Sequence, residues 1–241
     1  MSGWARKRFW KDVAVSEVDD GYGILLDGRT VKTPAKVPLV VPTRALADMI
    51  ATEWAGVGDT IDPEAMPVTR AANAAIDKVR GQFSEVAQML SAYGETDLLC
   101  YRADKPAELV ARQAAAWDPV LAWSESRFGI RWHTASGVMP RPQPPETLRV
   151  LGGHVASFSD FELTGFHDLV AMSGSLVIGL AVSEGHQSPE TLWEISRIDE
   201  DWQIEHWGSD DEAEIHAAMR RAAFLQAAAF LAASRTGKAQ S

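Results

Sequence analysis

Eleven Asp and Glu residues and one base, Arg197, lie between Glu184 and Glu214 in this 241-residue chain. The stretch therefore carries a net charge equal to the −10 of the whole protein. Carboxylates this dense can do acid/base or metal chemistry when their neighbours split their pKa values, and Asp199, Glu200 and His206 are the candidates for it. They can also be a solvated helix face, or the acidic half of a protein-binding surface. The other reactive residue types argue for little chemistry. His133, His154, His167, His186, His206 and His216 match no common metal spacing. The single cysteine, Cys100, sits in the apolar run Leu98-Leu99-Cys100-Tyr101 and reads as a buried, inert thiol. No glycine-rich phosphate loop, nucleophile elbow or paired-histidine zinc helix is present. These absences count against a catalytic residue, a metal or a cofactor.

A helical wheel over Ser188 to Trp207 refines the acidic stretch. At about 100° per residue, Leu192, Ile195, Trp202 and Trp207 share one arc. Asp199 and Gln203 fall within it, and Glu200 falls at its edge beside Trp193 and Trp207. Glu194, Asp201 and Glu205 lie opposite, toward water. Carboxylates on an aromatic arc must be paired inside the fold or face a partner, since an unpaired buried charge costs several kcal/mol. Aromatics interleaved with acids are what a protein-binding surface uses, with tryptophan as anchor.

The elements that must hold this stretch follow from composition and period. Hydrophobic residues make up 46% and charged residues 23%, the balance of a globular protein. The 33 acids against 23 bases repel phosphate backbones, so nucleic acid is excluded as a partner class. One cysteine fits a reducing compartment. The basic start (Arg6, Lys7, Arg8, Lys11) is too short and aromatic for a targeting segment, and the run Leu169 to Val182 is too short to span a membrane.

From Lys11 to Val41, apolar residues of period 2 (Val13, Val15, Ile24, Leu26, Val31) alternate with the turn dipeptides Asp20-Gly21 and Asp27-Gly28. This predicts a small antiparallel meander whose later strands are broken by Pro34, Pro38 and Pro42. After Pro42 the period becomes helical: Leu46, Met49, Ile50 and Trp54 follow Thr43 as N-cap. Trp54, on that apolar face, reads as a structural anchor. Helices are predicted at about 67–80, 82–93, 106–128 with a bend near Pro119, 146–157 and 161–183. Pro140, Pro142, Pro144 and Pro145 form an extended connector. A further helix begins at Ser188 with Pro189 at its first position, and the last begins at Ser209 with Glu212 as a capping box. The tail from Ser234 is polar and frayed. The fold class is α+β, with a small β domain over 1–42 and a helical domain over 43–241.

Several blocks in order resemble an ATP synthase assembly chaperone family. They are LDGRTVKTPAK from Leu26, ATEW from Ala51, MPVTRAANAAID from Met66, TDLLCYRA from Thr96, WDPVLAW from Trp117, SGSLVIGLAV from Ser173 and WGSDDEA from Trp207. The resemblance implies binding of the free alpha subunit of the catalytic head until it joins the beta subunit, without nucleotide or enzymatic chemistry. It implies the same small β domain and larger helical domain, and a home in the bacterial cytoplasm or the mitochondrial matrix. A monomer with no membrane insertion is expected. The resemblance also maps an activity-bearing acidic cluster onto Asp199, Glu200 and Asp201 ahead of Trp207-Gly208. Relatives often carry consecutive glutamates where this chain reads Ile198-Asp199-Glu200-Asp201, and Glu200 is the first choice among the three. With Trp193 and Trp207 from the wheel, these residues form the expected partner-binding set. The rival readings are the acid/base or metal enzyme above and a permanent structural subunit with a large interface.

Overall fold

A computed structural model of the chain describes residues 7–137, 141–208 and 211–235. By its contacts the chain divides into two compact units. Unit 1 comprises 1–83, 159–165 and 229–241, and unit 2 comprises 84–158 and 166–228. The sheet shares unit 1 with the first helices.

In unit 1, β1 (Val13–Val18) pairs antiparallel with β2 (Gly21–Leu26), from Val13 opposite Leu26 to Val18 opposite Gly21. The connecting loop is Asp19-Asp20, one residue earlier than the Asp20-Gly21 signal. The second turn is Asp27-Gly28, as expected. Both residues have positive φ, +48° and +77°, which the two-residue hairpin turn requires. The Asp27 carboxylate accepts from the backbone N–H of Asp12 (2.9 Å) and of Lys11 (3.0 Å), and these bonds hold its pKa below the usual carboxylate value. β3 (Arg29–Thr30) and β4 (Val40–Val41) both pair with the other edge of β2.

A strand assembly this small cannot hold itself together, and helices supply its second layer. Ile24, Leu26, Leu39 and Val41 bury against Leu46, Ala47 and Ile50 of α1 (Arg44–Ala55). Each fully buried Leu or Ile contributes roughly 1.5–3 kcal/mol. Thr43 caps α1 as expected, accepting from Leu46 N–H at 3.1 Å, and its hydroxyl donates to the Ala233 carbonyl. α2 (Pro67–Asp77) starts under the Glu53 carboxylate, which accepts from the N–H groups of Val68 (2.7 Å) and Thr69 (2.8 Å) and from the Thr69 hydroxyl (2.6 Å). A negative group at a helix N-terminus satisfies donors that otherwise lack partners. Trp54, beside Glu53, meets Trp10 edge to face at 5.2 Å, so it packs as the structural anchor expected. α2 ends at Asp77, three residues before the predicted limit, and a 3-10 turn over Val79–Gln82 leads on.

The next helix, α3 (Phe83–Ala92), leads into unit 2. A two-residue strand β5 (Tyr101–Arg102) pairs in parallel with β6 (Ala135–Ser136), a sheet that nothing in the sequence announced. Between them runs α4 (Ala107–Phe128), with Pro119 inside it and Gly129 ending it. α5 (Pro145–Val155) follows the proline connector.

The predicted helix 161–183 is two helices, α6 (Asp160–Ser173) and α7 (Leu176–Ser183). Gly174 breaks it at φ +70°, and the Ser175 hydroxyl caps α7 by accepting from Ile178 N–H at 3.0 Å. The fully buried Asp97 carboxylate anchors the same corner, accepting from Leu99 N–H (3.0 Å), the Ser175 hydroxyl (2.7 Å) and Val177 N–H (3.0 Å). Burial nonetheless pushes its pKa up to about 6. Cys100 is buried, and desolvation raises its thiol pKa, as an inert core cysteine requires. α8 (Pro189–Ser196), α9 (Ile198–Trp207) and α10 (Asp211–Ser234) complete the chain. An N-terminal antiparallel sheet followed by a larger helical region is the expected α+β class.

Arg6, Pro140, the capping-box serine Ser209, Asp210 and the tail beyond Arg235 lie outside the described residues. Among the described residues, no helix is long and apolar enough to cross a membrane.

Candidate functional site

The acidic stretch is not the single helix that the wheel assumed. It breaks between Ser196 and Ile198, where Arg197 leaves the helical conformation at φ −100°, ψ 2°. α9 is therefore turned relative to α8, and the single aromatic arc does not form. Ser188 caps α8 as expected, accepting from Thr191 N–H at 3.2 Å, with Pro189 at the first position.

The five singled-out residues divide by environment. Trp193 is buried at 4% exposure, tilted against Phe224 at 5.3 Å, with the guanidinium groups of Arg197 and Arg220 at 5.8 and 5.9 Å from its ring. Trp207 is 79% exposed at the end of α9. Asp199 is half-buried and accepts a hydrogen bond from Gln113 Nε2 of α4 at 2.6 Å. Glu200 is half-exposed and pairs with Arg197 at 3.1 Å. Asp201, placed on the wet side by the wheel, is half-buried, and desolvation raises its carboxyl pKa.

Polar bonds hold α9 against α4. Besides Gln113 to Asp199, Arg112 Nη1 reaches both carboxylate oxygens of Glu205 at 2.8 Å. Only Ile198 of α9 is fully buried. Gln113 itself is 1% exposed, and its Oε1 accepts from Ala103 N–H at 2.8 Å. The sequence reading missed Gln113. A lone glutamine inside a helix has no motif, and its partner lies 86 residues away.

Below α9 lies a groove of about 390 Å³. Tyr101, Pro106, Leu109, Trp202 and Trp207 give it apolar walls, and the Gln113–Asp199 pair lies among its lining residues. Trp202 stacks on His206 with ring centroids 4.1 Å apart, and His206 Nδ1 is 2.8 Å from the Trp202 carbonyl. That imidazole is committed to its own helix. Among the described residues, no three His, Cys, Asp or Glu side chains gather as a metal site. Along α9 and α10, Ile204 (37%), Ile215 (60%) and Met219 (64%) join Trp207 as exposed apolar residues, set among exposed Glu205, Glu212 and Glu214. Each helix thus carries exposed apolar residues beside carboxylates, which is the chemistry of protein binding.

Comparison with known proteins identifies the client system. A family model described as ATP12 chaperone protein matches residues 7–125. Solved structures of Atp12 from Paracoccus denitrificans, including an aspartate-to-lysine mutant, are 48% identical to this chain. The mutant superimposes at a TM-score of 0.93, covering 97% of this chain and 100% of its own. The second Paracoccus structure gives 0.92, with 95% and 98% covered. The chain belongs to the Atp12 chaperone family. A mitochondrial Atp12 of Schizosaccharomyces pombe is 25% identical over 219 residues, 86% of this chain and 75% of that one. The structure of an Agrobacterium tumefaciens protein is 40% identical with a TM-score of 0.89, covering 95% of this chain and 85% of the other. The Atp12 family acts in ATP synthase assembly, so this chain is an ATP synthase assembly chaperone. The matched span 7–125 stops before α9, so the carboxylates at 199–201 lie outside it.

Proposed function

We propose that this Atp12-family chaperone binds the unassembled alpha subunit of the ATP synthase catalytic head, and covers it until the beta subunit takes its place. The observation that carries the reading is the exposed apolar set of α9 and α10, Trp207 above all, interleaved with carboxylates. An unassembled subunit exposes apolar surface normally buried against its neighbours, and such surface drives self-association. A chaperone must cover it and then leave. A large apolar interface alone would hold too long, whereas complementary charge speeds encounter and selects the partner more than it deepens affinity.

In this reading Glu200 and Trp207 meet the client, Asp201 contributes at the margin, and Trp193 and Asp199 hold the surface in shape. The site would act in the bacterial cytoplasm or the mitochondrial matrix, on one chaperone monomer per client and without nucleotide.

The test is light scattering of isolated alpha subunit with and without the purified chaperone. Equimolar chaperone is expected to suppress the rise in scattering in the absence of ATP, with no phosphate released when ATP is added. Unchanged scattering of the alpha subunit, alongside suppression for the beta subunit, would move the assignment to a different client.

A further inference from the structure

Two of the exposed apolar residues lie far from α9 in sequence and share one groove. Val18 and Val37, each 42% exposed, line a channel of about 530 Å³ within unit 1. The β1–β2 turn forms one side. The segments on either side of β4, with Pro38 before it and Pro42 after it, form another, and Ile76 of α2, Arg80 of the following 3-10 turn, and Asp160 and Phe161 at the start of α6 close it. The floor is core: Val41, Ile76 and Phe161 are each less than 9% exposed.

Pro38 and Pro42 have no N–H to offer, so an added β-strand cannot pair through them along this edge. On that side an occupant binds through its side chains. Charge selects among occupants. Asp160 is committed to Arg80 at 2.6 Å. Asp19 and Asp20 at the rim are exposed and take part in none of the ion pairs among the described residues. The groove thus offers apolar contact beneath two uncompensated negative charges, and it repels phosphate and anionic lipid headgroups alike.

We propose that this groove of unit 1 is a second docking surface, which takes an extended segment of a partner protein in which apolar residues alternate with Lys or Arg. The β-branched apolar side chains would fill the channel over Val18 and Val37, and the cations would meet Asp19 and Asp20. The inference does not rest on the identity of the client held at α9, because the groove belongs to unit 1 and uses different residues.

The experiment uses the full chain and two capped, fluorescein-labelled hexapeptides, one alternating Val with Lys and one alternating Val with Glu. Fluorescence anisotropy at low and high salt reads affinity, and amide chemical shifts locate the site. The Val/Lys peptide is expected to bind, to weaken with salt and to shift the amides of Val18 and Val37. The double change Asp19→Lys with Asp20→Lys, confined to an exposed hairpin loop, should weaken binding by roughly tenfold or more. Val37→Ser, which leaves the rim charge intact, should weaken it as well. Trp207→Ala in unit 2 should leave it unchanged. Failure of the Val/Lys peptide to bind, equal binding of the Val/Glu peptide, shifts confined to α9 and α10, or dimerisation of the chain through this groove would each overturn the proposal.

Discussion

Gln113 ties α9 to α4 with one buried amide: Nε2 donates to Asp199 Oδ1 at 2.6 Å while Oε1 accepts from Ala103 N–H at 2.8 Å. A half-buried carboxylate that accepts such a bond works first for the fold. Asp199→Ala strands the Gln113 donor, and the expected loss is roughly 1–3 kcal/mol of unfolding free energy. Asp199→Asn keeps an acceptor oxygen and should cost less than Asp199→Ala. Urea unfolding of both variants checks this. An Asp199→Ala protein as stable as the parent but unable to hold the client would reverse the assignment.

Glu200 is placed differently. Its pair with Arg197 is a half-exposed i, i+3 contact, worth about 0.5 kcal/mol or less. Glu200→Ala is therefore expected to leave the melting temperature nearly unchanged while weakening capture of the alpha subunit by about 2 kcal/mol, roughly thirtyfold. Asp201→Ala should weaken capture by only about 0.5 kcal/mol. Titration calorimetry and thermal denaturation on the same proteins separate the outcomes. Lower stability with normal binding by the folded fraction would refute an interface role for Glu200.

Asp97 gives a pH signature. Burial raises its pKa to about 6 from an ordinary value near 3.8, so between those values the native chain holds a proton that the unfolded chain has released. The stability contributed by this group is complete below about pH 3.8 and is lost as pH rises through about 6. Relative to Asp97→Asn, which does not titrate, the parent should lose unfolding free energy on the order of 3 kcal/mol across that window. Above it the difference should stay flat. Denaturant curves for both proteins at half-unit pH steps read the slope. A parent that gains stability over the variant as pH rises from 4 to 6 would show that the donors at Leu99, Ser175 and Val177 outweigh desolvation.

The sheet was legible because its signals are local. Period 2 and the Asp27-Gly28 turn are fixed within a few residues, and the structure reproduces both. The breaks were less legible. Gly174 lies in an apolar run that reads as continuous helix, and the corner is made by its positive φ, the Ser175 cap and the distant Asp97 carboxylate. Arg197 carries no breaking signal at all, so the wheel ran across it and set Trp207 on the apolar arc and Asp201 toward water, whereas Trp207 is largely exposed and Asp201 half-buried. Gln113 was invisible because its meaning lies in a contact 86 residues away, and period carries no information about such pairs. Local chemistry predicts turns and caps; long-range polar bonds are properties of the assembled fold.

The exposed apolar residues of α9 and α10 set a condition on the protein that carries them. A surface able to cover one sticky subunit could also cover a second copy of itself, and a chaperone occupied by its twin would have none left for its client. The α10 acids Glu212 and Glu214 make that pairing costly, because two copies brought together there would set like charges within a Debye length of roughly 8 Å at physiological salt. A client with a basic or neutral rim meets no such barrier. Glu212 and Glu214 would thus keep the chaperone vacant as well as attractive, and concentrated salt would erode its solitude before it loosened its fold.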